Sequence, residues 1–323
     1  MQAVLIEAFS DRSCAGNGAA VVLLDQPRTE AWLQAVAGSL RQSETAFLLP
    51  HDGGWLLRWF TPSCEVPLCG HATLAALLAL AHWRHLAAGQ AVRFLTRSGP
   101  LQARLDPDST QRGSIDLPSG GLLPAEAPAD LRALLQRRRL GDPLRFWTSA
   151  LGYAVVLLEP QAPLAGLSSI AAELQGDLAR GLVLMKAQPA AAAVSESVPA
   201  SVADLPVDYQ LRFFAPGLGI AEDPVTGSAH ALVAPWWQDQ LGRSRVVGWQ
   251  CSDRPGGVVC EALSSGKIRL FGSGHLLWDG TLHTQSPAES ASSASLSASG
   301  DDATEAPSDP DSACAWLELA AAA

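Results

Sequence analysis

Arg58-Trp59-Phe60-Thr61-Pro62 returns at an offset of 154 as Arg212-Phe213-Phe214-Ala215-Pro216. Each copy reads as a strand rich in aromatic residues that stops at a proline, which cannot extend a ladder. A loop follows in both places, and then a Gly-containing turn opens an Ala-rich helix, at Gly70 in the first copy and Gly227 in the second. The same offset sets Cys69 opposite Asp223, although Gly70 and Gly227 are out of step by three. Two copies of one unit imply a pseudo-twofold molecule with a pocket at the interface of the copies.

Working outward, Ala3–Ala8 and Ala19–Leu24 read as strands around a turn-rich loop containing Gly16-Asn17-Gly18. Thr29 is placed to cap a helix through about Leu40, with Leu33, Val36 and Leu40 on one face. Glu44–Leu49 and Trp55–Phe60 form a hairpin over residues 51–54. The helix from Gly70 is expected to reach about His85, followed by strands at Ala91–Thr96, Leu101–Leu105 and Ser114–Leu117. A Pro/Gly-rich link (Pro118–Pro128) and a short helix ending in Arg137-Arg138-Arg139 lead to a second series. Its strands are expected at Tyr153–Leu158, Gly181–Lys186 and Tyr209–Ala215, then Ser244–Cys251, Gly257–Ala262 and Lys267–His275 after the second junction and helix. Ala187–Pro206 reads as a surface insertion, and the Ser/Ala/Asp-rich stretch from Gln285 as a disordered tail. The closing Cys314–Ala323 has helix-forming residues but little to pack against. The halves are thus expected at residues 1–118 and 119–284, the last strand returning to the first half.

The chemistry-bearing residues collect at the two loop-to-helix junctions. The first reads Cys69-Gly-His-Ala-Thr73 and the second Glu222-Asp-Pro-Val-Thr-Gly-Ser-Ala229. A helix start presents free amides and the positive end of the helix dipole, which bind carboxylates and stabilise enolate-like charge. Two such starts facing each other would hold a small anionic substrate. Taken singly, each polar residue has an ordinary reading. Glu44 is a strand-edge acid, His71 a capping or packing residue, Asp223 before Pro224 a turn former and Ser228 a helix hydroxyl.

Together, Ser43-Glu44-Thr45-Ala46-Phe47, the Arg58–Pro62 string and these two junctions resemble the phenazine-biosynthesis (PhzF-like) family. Leu241-Gly-Arg243 and Gly256-Gly-Val258 add to the resemblance, which runs from about Val4 to Leu282. It implies a diaminopimelate-epimerase-like α+β fold, with two pseudo-symmetric half-barrels each wrapped around a central helix. By the same resemblance Glu44 is the acid/base that relocates a proton, with Asp223 and His71 beside the reacting centre. Ser43, Gly70, Ala72, Gly227 and Ser228 would line the substrate, and the molecule would be a homodimer. The sequence departs from the family pattern at Asn17-Gly18, where Asn-Pro is usual, and at Pro255, where an Arg-Gly-Gly run is commoner.

A rival of the same fold is an amino-acid racemase or epimerase. It needs a thiol on each face of the substrate carbon, and the second junction contains no cysteine. A non-catalytic ligand binder is the other alternative. Cys14, Cys64, Cys69, Cys251, Cys260 and Cys314 form no CxxC pair or zinc spacing, so free thiols in a reducing cytoplasm are expected. The opening residues lack the basic and cleavage-site pattern of an export leader. The formal charge of −10 resides mostly in the tail. Residues 285–323 hold seven acids and no Lys or Arg, and without them 22 basic residues face 25 acidic ones. A near-neutral remainder gives no support to nucleic-acid binding, and no apolar run is long enough to span a membrane. No metal and no nicotinamide, pyridoxal or other cofactor is expected: there is no phosphate-binding glycine loop and no recognisable Schiff-base lysine, Lys186 and Lys267 being the only two.

Overall fold

The repeated pentapeptides end equivalent strands, and the pairing around them repeats as well. The computed structural model describes residues 1–188, 201–283 and Trp316. The first half opens with β1 (Gln2–Ala8), β2 (Asn17–Leu23), α1 (Glu30–Leu40), β3 (Glu44–His51), β4 (Gly54–Phe60) and the short β5 (Glu65–Val66). Helix α2 (Gly70–His82) follows, then β6 (Ala91–Thr96), β7 (Gly99–Asp106) and β8 (Ser109–Pro118), and β9 (Leu122–Pro124) begins the second half. Helix α3 (Ala129–Arg137) leads to β10 (Arg145–Ser149), β11 (Ala154–Leu157), β12 (Leu182–Ala187) and a small hairpin of β13 (Ser201–Val202) and β14 (Leu205–Pro206). The second half closes with β15 (Tyr209–Ala215), β16 (Ile220–Asp223), α4 (Gly227–Leu241), β17 (Arg245–Gln250), β18 (Gly256–Ala262) and β19 (Lys267–Thr281).

Strand β4 pairs antiparallel with β3 and β5 and parallel with β6. Its counterpart β15 pairs antiparallel with β12 and β16 and parallel with β17. The β2–β3 and β11–β12 pairs are parallel, and β6–β7 and β17–β18 antiparallel. The halves then interlock. Strand β19 runs between β18 and β8 as far as Phe271, stays beside β8 through Ser273 and then runs beside β1 from Gly274 to Thr281, while β9 pairs with β10. Among the described residues, 17 strands join one continuous, barrel-like sheet.

Helix α2 is enclosed by this sheet, and every residue from Gly70 to Ala81 is buried. An Ala/Leu helix without a polar face suits that position, and burying Leu74, Leu77, Leu78 and Leu80 contributes about 2 kcal/mol each. Helix α4 is buried from Gly227 to Ala234 and packs on β17, β18, β19 and β8. Outside the sheet, α1 covers Val22, Phe47 and Phe60 of the first half. Helix α3 and residues 159–180 cover Val156, Leu184 and Phe214 of the second.

Thr29 caps α1, its hydroxyl accepting from the Trp32 amide at 3.2 Å. Helix α2 stops at His82 rather than His85, because Arg84 turns left-handed at φ 64°. Strand β9 lies inside the Pro/Gly link, and β10 and β16 also add to the expected strands. β19 continues to Thr281, beyond the expected His275. Within the expected insertion, residues 189–200 lie outside the described residues, and its end is the β13–β14 hairpin, turned by Ala203 and Asp204 at φ 48° and 63°. The tail from Gln285 lies outside them too, apart from Trp316. That residue corrects the reading of the closing segment: it is 2% exposed and packs with Leu33, Val36 and Phe60. Among the described residues, no helix is long and apolar enough to cross a membrane.

Candidate active site

The starts of α2 and α4 touch, glycine against glycine. A Cβ added at Gly70 would stand 2.9 Å from Gly227 Cα, and one at Gly227 would stand 3.0 Å from Gly70 Cα. This contact aligns Gly70 with Gly227, so the residue opposite Cys69 is Thr226, the residue before α4. The strand offset had paired Cys69 with Asp223. Three extra residues in the second loop place Asp223 at the end of β16 instead, under the helix start. Neither Cys69 nor Thr226 caps its helix with a side-chain hydrogen bond, so first-turn amides of both helices lack their usual side-chain partner.

Around this contact Glu44, His71 and Asp223 come together, with relative exposures of 6%, 1% and 4%. Glu44 begins β3, which runs parallel to β2 beside the start of α2. Its Oε2 lies 3.2 Å from His71 Nε2, at ion-pair distance, and has no other donor among the described residues. Ser43 Oγ lies 3.3 Å from the same imidazole nitrogen.

Asn17 ties the two halves of the site together. Its Nδ2 reaches Asp223 Oδ1 at 2.5 Å, Val225 O at 3.0 Å and His71 Nδ1 at 3.0 Å. Its Oδ1 accepts from Ser43 Oγ at 2.7 Å, which fixes the orientation of the amide. Thr226 Oγ1 donates to the other Asp223 oxygen at 2.6 Å. Gln250, fully buried, donates to Asp223 O at 2.5 Å and accepts from the Thr226 amide at 2.8 Å. On the second-half wall, Tyr153 places its hydroxyl 3.3 Å from Ser228 Oγ.

Burial pushes the Asp223 carboxyl up to about 6, with His71 drawing it down and Glu44 adding to the rise. For His71, burial opposes a second proton, but Cys69 and Glu44 outweigh it and hold the imidazole well above its ordinary range. Burial, helped by Glu44, pushes the Cys69 thiol up to about 11 although His71 and the Ala72 amide pull it back. Burial likewise raises the Tyr153 phenol to about 12, leaving it a donor. The site thus holds groups able to take and return a proton beside a fixed set of donors.

Gly70, Ala72, Gly227 and Ser228 lie in the first turns of the two facing helices, so the structure brings every residue singled out from the sequence to one place. Asn17, Thr226, Gln250 and Tyr153 were not singled out. Asn17 carried a faint signal, a lone amide between two glycines. Tyr153 and Gln250 sit in ordinary strand-edge contexts that carry none. The donor atoms of Glu44, Cys69 and His71 also lie within 4.8 Å of one another, a set with the composition of a metal site. His71 turns Nδ1 toward Cys69 and Nε2 toward Glu44, so a single ion could take only one of the two ring nitrogens.

Residues 6–264 match the family described as phenazine biosynthesis-like protein. An uncharacterized isomerase of Pseudomonas aeruginosa is 36% identical over 278 residues, 86% of this chain and 97% of that protein. A solved phenazine biosynthesis PhzC/PhzF protein from Clostridium difficile superposes with a TM-score of 0.70 at 26% identity, covering 88% of this chain and 100% of the other. A proline racemase structure from Agrobacterium radiobacter shares the fold, with a TM-score of 0.58 at 11% identity over 88% of this chain and 93% of the other.

Proposed function

The chain belongs to the phenazine biosynthesis-like protein family and is an isomerase, and we propose that it moves a proton on a small carboxylate-bearing substrate with Glu44 as general acid/base. The observation that carries this reading is the placement of Glu44 Oε2, buried 3.2 Å from His71 Nε2 with no other donor among the described residues, beside two facing helix starts. A carboxylate so placed takes a proton from carbon next to an unsaturated or carbonyl group and returns it elsewhere on the same molecule. First-turn amides of α2 and α4 would bind the substrate carboxylate and the negative charge that develops. Two half-barrels, each around its central helix, would close over it. Because the reacting groups are buried, substrate reaches them when the junction loops part; these are now joined by Ser63 Oγ donating to Leu218 O at 3.4 Å.

Stereoinversion by two thiols is the poorer reading. Cys69 stands at the start of α2, but its counterpart at α4 is Thr226. Cys251 and Cys260 lie at or near strands β17 and β18, Cys260 with its Sγ 3.7 Å from Tyr209 OH. Solvent deuterium exchange into candidate unsaturated and keto carboxylates tests the proposal. Glu44→Gln is expected to slow incorporation by about 10²–10⁴-fold, the usual worth of general acid–base catalysis, while substrate still binds. Incorporation at the wild-type rate would remove Glu44 from the mechanism.

A further inference from the structure

The pseudo-twofold relation exposes a difference between the two halves at their buried arginines. Arg212 in β15 makes a two-pronged pair with Glu222, Nε to Oε1 at 2.6 Å and Nη2 to Oε2 at 2.5 Å, and lies 5.3 Å over Phe214. Arg58 in β4 repeats this with Glu65, both distances 2.8 Å, and lies 5.2 Å over Phe60. The third guanidinium nitrogen separates them. Arg212 Nη1 donates to Leu164 O at 2.8 Å, a carbonyl supplied by the segment that covers the second half. Arg58 Nη1 is buried with no hydrogen-bond partner among the described residues. Over it instead stands Trp316, its ring centre 5.2 Å from Arg58 Cζ and its Nε1 donating to Arg28 O at 3.1 Å.

An indole face is a suitable cover for a desolvated guanidinium, because its π-electrons face the charge while its N–H takes the Arg28 carbonyl. The topology assigns the same place. In the second half the element between β9 and β10 is α3, whose Leu131, Leu134 and Leu135 cover the outer face. Strands β19 and β1 pair as β9 and β10 do, so in the first half the place of α3 falls to the chain that follows β19. Trp316 belongs to that stretch of chain and packs on the outer face of the first half.

We propose that the notch formed by Arg28, Trp32, Leu33, Arg58 and Phe60 is a docking site for the acidic C-terminal segment, residues 309–323, of the same chain, with Trp316 as its anchor. The 32 residues from 284 to 315 span up to about 100 Å, ample to return to this face, and tethering gives the indole an effective concentration in the millimolar range. The docked indole holds Arg58 in its pair with Glu65 and so steadies residues 61–68, the loop that leads to Cys69, Gly70 and His71. The segment is therefore a strap that positions one wall of the cleft without touching substrate.

The test uses the full chain and a fluorescein-labelled peptide of residues 309–323. In Trp316→Ala the notch is vacant, and the peptide is expected to bind it saturably, at least tenfold more tightly than it binds wild type, whose own indole is in place. Hydrogen exchange is expected to rise at residues 28–32 and 61–68 of this variant and to stay unchanged along α4, which separates release of the strap from general unfolding. Equal binding to both proteins, no binding to the variant, or unchanged exchange at residues 61–68 would overturn the proposal. So would a wild-type notch that opens to the peptide on dilution to nanomolar concentration, because the indole would then come from a second copy. These readouts need no substrate, so they stand or fall apart from the role of Glu44.

Discussion

Replacing Gly70 by alanine drives a methyl group into the backbone of the facing helix. The new Cβ would lie 2.9 Å from Gly227 Cα, 3.3 Å from Gly227 C and 3.2 Å from Leu117 Cδ1. Carbon atoms rest at about 3.5–4.0 Å, so the helix starts must separate by roughly 0.6–1 Å. Leu117 can rotate away, whereas Gly227 is held by the flanking bonds from the Thr226 amide to Gln250 Oε1 at 2.8 Å and from the His230 amide to Thr226 O at 3.1 Å. Overpacking of this kind costs about 1–3 kcal/mol. Alanine returns up to about 1 kcal/mol in a helix interior and less at a first residue, which leaves a net loss of about 1–2 kcal/mol. Gly70 is not among the residues with positive φ, so backbone strain does not confuse the reading. Urea unfolding should show a lower midpoint for Gly70→Ala and for Gly227→Ala. The double variant should lose less than the two together, because the second methyl enters space the first has opened. The same separation moves Glu44 and His71 away from Asp223 and Ser228, where a 1 Å error can cost about 10²-fold in rate. Single variants as stable as wild type, or strictly additive losses, would show that the two helix starts do not bear on each other.

Two other outcomes follow from the charges and thiols of the site. The Asp223 carboxyl is expected to titrate near pH 6 by carbon-detected NMR, and isotope exchange to fall as pH falls through that value, since a proton there displaces a donor from Asn17 or Thr226. Because this folded-state value lies above the unfolded one of about 3.9, the group's contribution to stability falls as pH rises from about 4 to about 6, by at most about 3 kcal/mol; a midpoint below pH 5 would contradict the described burial. Alkylation at pH 8 should label exposed Cys14 quickly and spare Cys69 and Cys260 until the chain unfolds. Early loss of Cys69 to iodoacetamide would show that it is a thiolate and reopen the two-thiol reading.

Much of the architecture was legible because the duplicated strand carries a distinctive string, Arg-aromatic-Phe followed by a proline, and because α2 is uniformly apolar. Strands β9 and β10 were not, since Leu122–Pro124 is too short and proline-bounded to show a period and Arg145–Ser149 has only two buried residues. At the site, residues on a recognisable junction could be read. Asn17 could not, because its role depends on a fold that brings residues 17, 71 and 223 to one point. The equivalence of Cys69 and Asp223 failed for a related reason: an offset measured in strands does not survive a loop three residues longer. Trp316 escaped because an isolated tryptophan in an Ala/Ser-rich stretch has no periodicity to betray a partner, and the groove awaiting it is assembled from residues near positions 28, 33 and 58.

Strand β19 ends beside the beginning of β1, Thr281 opposite Gln2, with the Leu282 amide donating to Met1 O at 2.8 Å. The start and finish of the sheet are therefore neighbours, and the passage between halves at Pro118–Gly121 is the second of two equivalent crossings. Topologically the sheet is a closed ring whose opening point in the gene is incidental. A circularly permuted chain, joined to Met1 through the segment that follows Leu282 and opened within residues 119–121, keeps every strand pairing and both facing helix starts, so the cleft belongs to the ring and not to the order in which its halves are synthesised.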